Sequence, residues 1–257
     1  MITRYDVRLD GRSISDVDPS VIVSDIVYNQ PMEQMEQTSL AGRDGSSMRR
    51  RTRSASVSVS VEIHEQDPRA RMEVCRRLQS FAMRGGVLTT SDRPGQRLRV
   101  VCTQPPVISS ALRWTQLETI IFTAYDVPYW EDTRQTSLSV ASSGSGGSLY
   151  ISGTARVTPV SVSVTNTSAS VVNTLTVTVG DTSMSFASLG LAAGAKLVID
   201  YDDAQRLRIR IGNTSKMDKR TAESSDDLLA VCNQATSVTV AANASVTAVC
   251  TARGRWY

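Results

Sequence analysis

Histidine occurs once in this 257-residue chain, lysine three times, and aromatic residues make up only 5%. The lone imidazole, His64, and four cysteines (Cys75, Cys102, Cys232, Cys250) without a C-x-x-C pair leave no spacing for a zinc site, which needs several N or S donors at one point. No run of about 18 apolar residues occurs, and the opening Met1-Ile2-Thr3-Arg4-Tyr5-Asp6 has neither a basic n-region nor an apolar h-region. The expectation is a chain made and kept in the cytoplasm until an assembly carries it out, with four reduced and mostly buried thiols. An approach of Cys232 to Cys250 across neighbouring strands is the alternative. Excess charge is scarce too. The net +3 divides into 18 basic against 17 acidic residues over 1–136 and 10 against 8 over 137–257, so no bulk attraction to nucleic acid follows. Lys196, Lys216 and Lys219 are the only lysines beside 25 arginines. A planar guanidinium suits packed interfaces and paired carboxylates better than an ammonium does, although GC-rich codon usage gives the same count.

With 40% hydrophobic and 21% charged residues the composition is globular, and the length accommodates two domains of roughly 100–150 residues each. A change in composition near residue 135 divides them: a mixed, arginine-rich segment with one helix over 1–135, and Ser/Thr/Val/Ala-rich sequence of short strands over 136–257. In the first, Asp10-Gly11 turns between short strands over 2–9 and 12–17, and Ser20 to Asn29 gives a third. Residues 31–48, with Pro31, Gly42 and Gly45 and little apolar periodicity, read as a loose excursion or hairpin away from the core. After the basic run Arg49-Arg50-Arg51-Thr52-Arg53, the residues Ala55, Val57, Val59, Val61 and Ile63 alternate with polar ones, as a strand with one buried face requires. Asp67 as cap, Pro68 in the first turn and Gly85-Gly86 as a left-handed stop bound a helix over about 67–84. Its Val74, Leu78 and Phe81 fall on one face, and Arg69, Arg71, Arg76, Arg77 and Arg84 occupy the rest. Strands over 86–90, 97–102 and 113–124 complete a β-sandwich or rolled sheet with one packed α-helix.

The second segment alternates throughout: Val160/Val162/Val164, Leu175/Val177/Val179, Leu207/Ile209/Ile211 and Val238/Val240 each interleave with polar residues. Short strands at this spacing indicate a jelly-roll-type sandwich. Ser142 to Ser148, rich in glycine and serine, is either a flexible connector or a hairpin tip flanked by Leu138, Val140, Leu149 and Ile151.

No motif carries reaction chemistry. His64 with Glu65 and Asp67 lies at a strand-to-helix junction rather than in a convergent pocket. Asp200-Tyr201-Asp202-Asp203 lacks the D-x-D-x-D-G spacing of a calcium loop and reads as an Asp-rich turn. Carboxylates for glycoside hydrolysis could be drawn from these and Glu223, Asp226 and Asp227, but nothing sets their separation. The Arg49–Arg53 run has no interleaved aromatics for base stacking and reads as a solvated or interface edge. Trp114, Trp130 and Trp256 are either a sugar-stacking platform or core and interface anchors. The chain is expected to be no enzyme, with no catalytic, cofactor-binding or metal-binding residue.

The strand ending in Phe122-Thr123-Ala124-Tyr125-Asp126-Val127-Pro128-Tyr129-Trp130 resembles the close of the N-terminal domain in the distal tail (Dit) proteins of long-tailed bacteriophages. Arg43-Asp44-Gly45 before the Val57–Ile63 strand, the helix followed by Gly86-Val87-Leu88, and Ala193-Gly194-Ala195-Lys196-Leu197-Val198-Ile199-Asp200 before Leu207-Arg208-Ile209 fall where that family has them. The family's Pro-Gly-x-Asn turn survives only as the asparagine of Ala230-Val231-Cys232-Asn233-Gln234. The resemblance implies a tail-tube-like, ring-forming domain over 1–135 and a galectin-like β-sandwich over 136–257. It also implies a structural virion component, made in the bacterial cytoplasm and placed at the distal end of the tail. There a homo-hexameric ring joins the tail tube to the tail-tip or baseplate hub protein and to fibres or receptor-binding proteins. DNA would pass its lumen without specific binding, and no membrane insertion is implied. The arginine-rich helix and the 31–48 excursion are the candidate subunit contacts, with the Arg49–Arg53 run facing either lumen or interface. The alternative is a carbohydrate-binding adhesin that makes host glycan contacts through the C-terminal sandwich.

Overall fold

Strict alternation builds the first sheet. In Ser56–Ile63 the residues Val57, Val59, Val61 and Ile63 are wholly buried while the serines between them stay partly open, so one face of this strand is core and the other is not. The computed structural model describes residues 5–30, 33–39, 46–52, 54–108, 115–202 and 205–257, with only the backbone of 33–39 and 46–52. Trp114, Arg53, Asp203 and the Arg43-Asp44-Gly45 signal lie outside the described residues. Two compact units divide the chain, one of Met1–Trp130 with Tyr257, the other of Glu131–Trp256.

The first unit contains β1 (Val7–Leu9), β2 (Arg12–Ser13), β3 (Val21–Asn29), β4 (Glu33–Ser39), β5 (Ser46–Thr52), β6 (Ser56–Ile63), α1 (Pro68–Ala82), β7 (Gly86–Thr90), β8 (Gln96–Gln104) and β9 (Gln116–Ala124). Its sheet runs β2-β1-β7-β8-β9-β6-β3, antiparallel throughout, with β6 registered on β9 from Ser56↔Thr123 to Ile63↔Gln116. The expected strand over 12–17 is cut short after Ser13. A capping box, with Ser15 N–H donating to Ser13 Oγ and Ser13 N–H to Asp16, turns Ile14–Asp16 into a 3₁₀ helix. The helix matches its sequence signals: Asp67 accepts from Arg69 N–H, Pro68 opens the first turn, and Gly85 takes φ +61 beyond the end. One residue departs from its expected place. Arg71 was expected on the solvent face but is completely buried, its guanidinium donating to Glu65 C=O at 3.0 Å.

The excursion is more ordered than its composition indicates. β4 and β5 pair from Glu33↔Thr52 to Ser39↔Ser46 as a separate two-stranded ribbon, so Arg49–Thr52 belong to this ribbon and not to the start of β6. That corrects the expected placement of the basic run.

Strand β10 (Trp130–Asp132) leads into the second unit, followed by β11 (Thr136–Ala141), β12 (Gly147–Tyr150), β13 (Val157–Pro159), β14 (Ser161–Asn166), β15 (Leu175–Val179), β16 (Thr182–Phe186), β17 (Lys196–Tyr201), β18 (Leu207–Ile211), β19 (Thr214–Ser215), β20 (Leu229–Val231), β21 (Ala235–Ala242), β22 (Val246–Ala252) and β23 (Arg255–Trp256). A six-stranded sheet, β11-β22-β14-β17-β18-β19, and a four-stranded sheet, β12-β21-β15-β16, share one core. Val162, Val164, Leu197 and Ile199 of the first meet Val177, Met184, Phe186 and Val238 of the second in that core, which makes the unit a β-sandwich. The Gly/Ser segment at 142–148 lies inside this sandwich unit, taking the chain from one sheet to the other. Ser142 N–H bonds Val246 C=O and Ser142 Oγ accepts from Val246 N–H, so the segment is not a connector between domains.

Candidate interaction surfaces

The residues with reactive side chains do not converge. His64 Nε2 lies 3.0 Å from Glu62, on its own strand, while Glu65 accepts from Asp67 N–H and Asp67 caps α1. Asp200 is a strand residue rather than part of a turn, held by Arg208 at 3.0 Å and Arg210 at 2.8 Å; Asp202 holds Arg206 at 2.8 Å. Asp226 pairs with Arg220 at 3.3 Å. Burial first, then the neighbouring Asp226, pushes the Asp227 carboxyl above its ordinary range. All four cysteines are free, and burial drives the Cys250 thiol up to about 11, far from a reactive thiolate. Among the described residues no group of three or more His, Cys, Asp or Glu side chains is placed to hold a metal.

The two described tryptophans are each engaged within the chain. Trp130 is 2% exposed, and Trp256 Nε1–H donates to Asp132 at 2.8 Å. Trp130 instead anchors a cluster at the close of the Tyr125–Trp130 segment. Its ring meets Tyr28 edge-on at 5.7 Å, and the Arg93 guanidinium stacks over both, 4.4 Å from the Tyr28 centroid and 5.2 Å from that of Trp130. Arg93 also donates to Tyr257 C=O at 3.1 Å, and the Tyr257 ring contacts Tyr129 edge-on at 5.4 Å. Burial, reinforced by the 2.6 Å bond to Asp92, raises the Tyr28 phenol well above its ordinary value. The Pro-Tyr-Trp motif is thus a packing node. Sequence reading missed Tyr28 and Arg93, which carry no periodic signal and meet Trp130 only through the sheet.

Three surfaces stand open among the described residues. The ribbon β4–β5 pairs with no other strand among the described residues, and a two-stranded hairpin alone is marginal in water. The last two turns of α1 present Arg77, Ser80 and Phe81, and the turn after it Arg84, along a groove of about 190 Å³ faced by Arg12 of β2 and by Val17. A shallower groove on the outer face of the six-stranded sheet is lined by Ser161, Ser163, Lys196, Val198, Val249 and Thr251.

Among the described residues, no helix is long and apolar enough to cross a membrane. No family model and no curated protein sequence matches the chain. Among solved structures, the Dit protein of phage SPP1, described as a paradigm of the hub adsorption apparatus in phages infecting Gram-positive bacteria, is 14% identical. It matches with a TM-score of 0.69 over 98% of this chain and 99% of its own. A chain of the activated phage P2 baseplate with calcium matches at 9% identity and a TM-score of 0.45, covering 97% of this chain and 98% of that one. The strontium form gives 9% and 0.42, covering 96% and 97%. The mainly β architecture expected from the resemblance is therefore present, and along nearly its whole length the chain has the fold of the SPP1 Dit hub protein.

Proposed function

We propose that the chain is a non-enzymatic component of a long-tailed phage virion, a distal tail protein whose copies close into a hexameric ring. The observation that carries this reading is the match to a phage hub protein through both units, end to end, rather than through one common β-sandwich. In this reading residues 1–135 form the ring that continues the tail tube. Residues 136–257 form a galectin-like sandwich, and tail-tip and fibre proteins attach to the hub. DNA passes the lumen without being read.

A closed ring needs two different complementary surfaces on every copy. The ribbon β4–β5, which pairs with no other strand among the described residues, supports that requirement, because a second copy could pack against it. The scattered carboxylates and raised cysteine values support a role without chemistry. Negative-stain microscopy of the purified protein, with mass measurement in solution, tests the proposal. Sixfold or stacked rings are expected, and a species that stays monomeric to high concentration, with and without tail partners, overturns it.

A further inference from the structure

The groove beside α1 gathers three arginines, Arg12, Arg77 and Arg84, around one paired acid. Arg77, Ser80 and Phe81 stand at i, i+3 and i+4 on one stripe of the helix, Arg84 follows just beyond its C-cap, and Arg12 faces them from β2. Of the three guanidinium groups, Arg77 is paired with Asp18 at 2.7 Å. That carboxylate is further engaged by the hydroxyl and N–H of Ser20, and the nearby Asp16 caps Ser13 N–H. The Arg12 and Arg84 side chains are exposed, and their guanidinium groups have neither an ion-pair nor a hydrogen-bond partner among the described residues. Between them the lining is apolar: Phe81, 6% exposed, and Val17.

This combination selects its occupant. A guanidinium takes a carboxylate through two parallel hydrogen bonds, so the two open arginines call for two acids. The Val17 and Phe81 wall offers nothing to a phosphate chain but would pack an apolar side chain placed between those acids. We propose that the groove docks an acidic peptide segment of another protein, with carboxylates on Arg12 and Arg84 and an apolar side chain on Val17 and Phe81. The inference rests on reading the chain as an assembly component and names the chemistry of one of its partners.

The test is fluorescence anisotropy with the full-length chain, using a labelled Glu-Leu-Glu-Leu-Glu peptide, its Gln-Leu-Gln-Leu-Gln counterpart and a short single-stranded oligonucleotide. Saturable binding of the acidic peptide alone is expected. It should weaken at least about tenfold in R12E/R84E and stay unchanged in R69E, which reverses an exposed arginine at the start of the same helix. Absence of saturable binding overturns the proposal, as does equal loss in R69E or an oligonucleotide that binds as tightly as the peptide. Microscopy of R12E/R84E separates this from the hub reading: rings that form while the wild-type groove takes no acidic peptide discard the groove and leave the ring intact.

Discussion

Asn166 is 1% exposed and saturates its side-chain amide: Nδ2 donates to Ser170 C=O and Leu191 C=O at 2.8 and 2.9 Å, and Oδ1 accepts from the N–H and hydroxyl of Ser168 at 2.9 and 2.7 Å. Replacing it with alanine removes these four hydrogen bonds from a buried position, so Asn166→Ala should lower stability by roughly 2–4 kcal/mol in urea unfolding; a loss near zero contradicts the assignment. The asparagine kept from the family's turn works similarly. Asn233 sits at φ +58 and exchanges side-chain bonds with the N–H and C=O of Gly153. The family turn pointed to Asn233 but not to its partner Gly153, which lies 80 positions away, and nothing in the sequence singled out the bonding of Asn166. Acid sensitivity is also set residue by residue. Burial works to raise the carboxyls of Asp6 and Asp18, but Ser13 and Arg8 at the first, and Ser20 and Arg77 at the second, hold both below their ordinary value. Lowered folded values stabilise the protein fully above the unfolded pKa of about 3.9, and that contribution disappears as pH falls through the lower folded values. Thermal unfolding should therefore be level from pH 6 to about 4.5 and weaken below it, less so in D18N; equal melting of wild type and D18N at every pH contradicts this.

At the scale of elements, what could be read beforehand was what announces itself locally. The helix was legible because Asp67, Pro68 and Gly85 mark its ends and Val74, Leu78 and Phe81 mark its buried face. Asp67→Ala removes the acceptor for Arg69 N–H and should cost about 1 kcal/mol, measured as a shift in the urea midpoint at unchanged slope; an unchanged midpoint means the cap is idle. Strand β6 was legible for the same reason, its alternation being uninterrupted. The ribbon β4–β5 was not. Its sequence has no apolar alternation, and it forms through pairing between its own two strands, so Arg49–Arg51 read as part of the neighbouring strand. Arg71 was misplaced because helical spacing tells which residues share a face, not that a guanidinium will be buried to satisfy Glu65 C=O.

For the whole molecule, the two units carry separate cores, and the second is closed by a cluster drawn from both of its sheets. Residues 131–256 expressed alone should unfold cooperatively with a native near-ultraviolet spectrum; a molten, non-cooperative fragment means that this core is incomplete without the rest. By itself the sequence determined the fold class and the position of its helix, because caps and period-two burial act between residues a few positions apart. Only the tertiary structure decided that Trp130 meets Tyr28 and Arg93, that Arg93 reaches Tyr257 C=O, that Arg12 faces Arg84, and that the Gly/Ser segment is pinned within a sandwich. Those contacts join residues separated by tens to hundreds of positions, and strand order, which no local pattern encodes, is what brings them together.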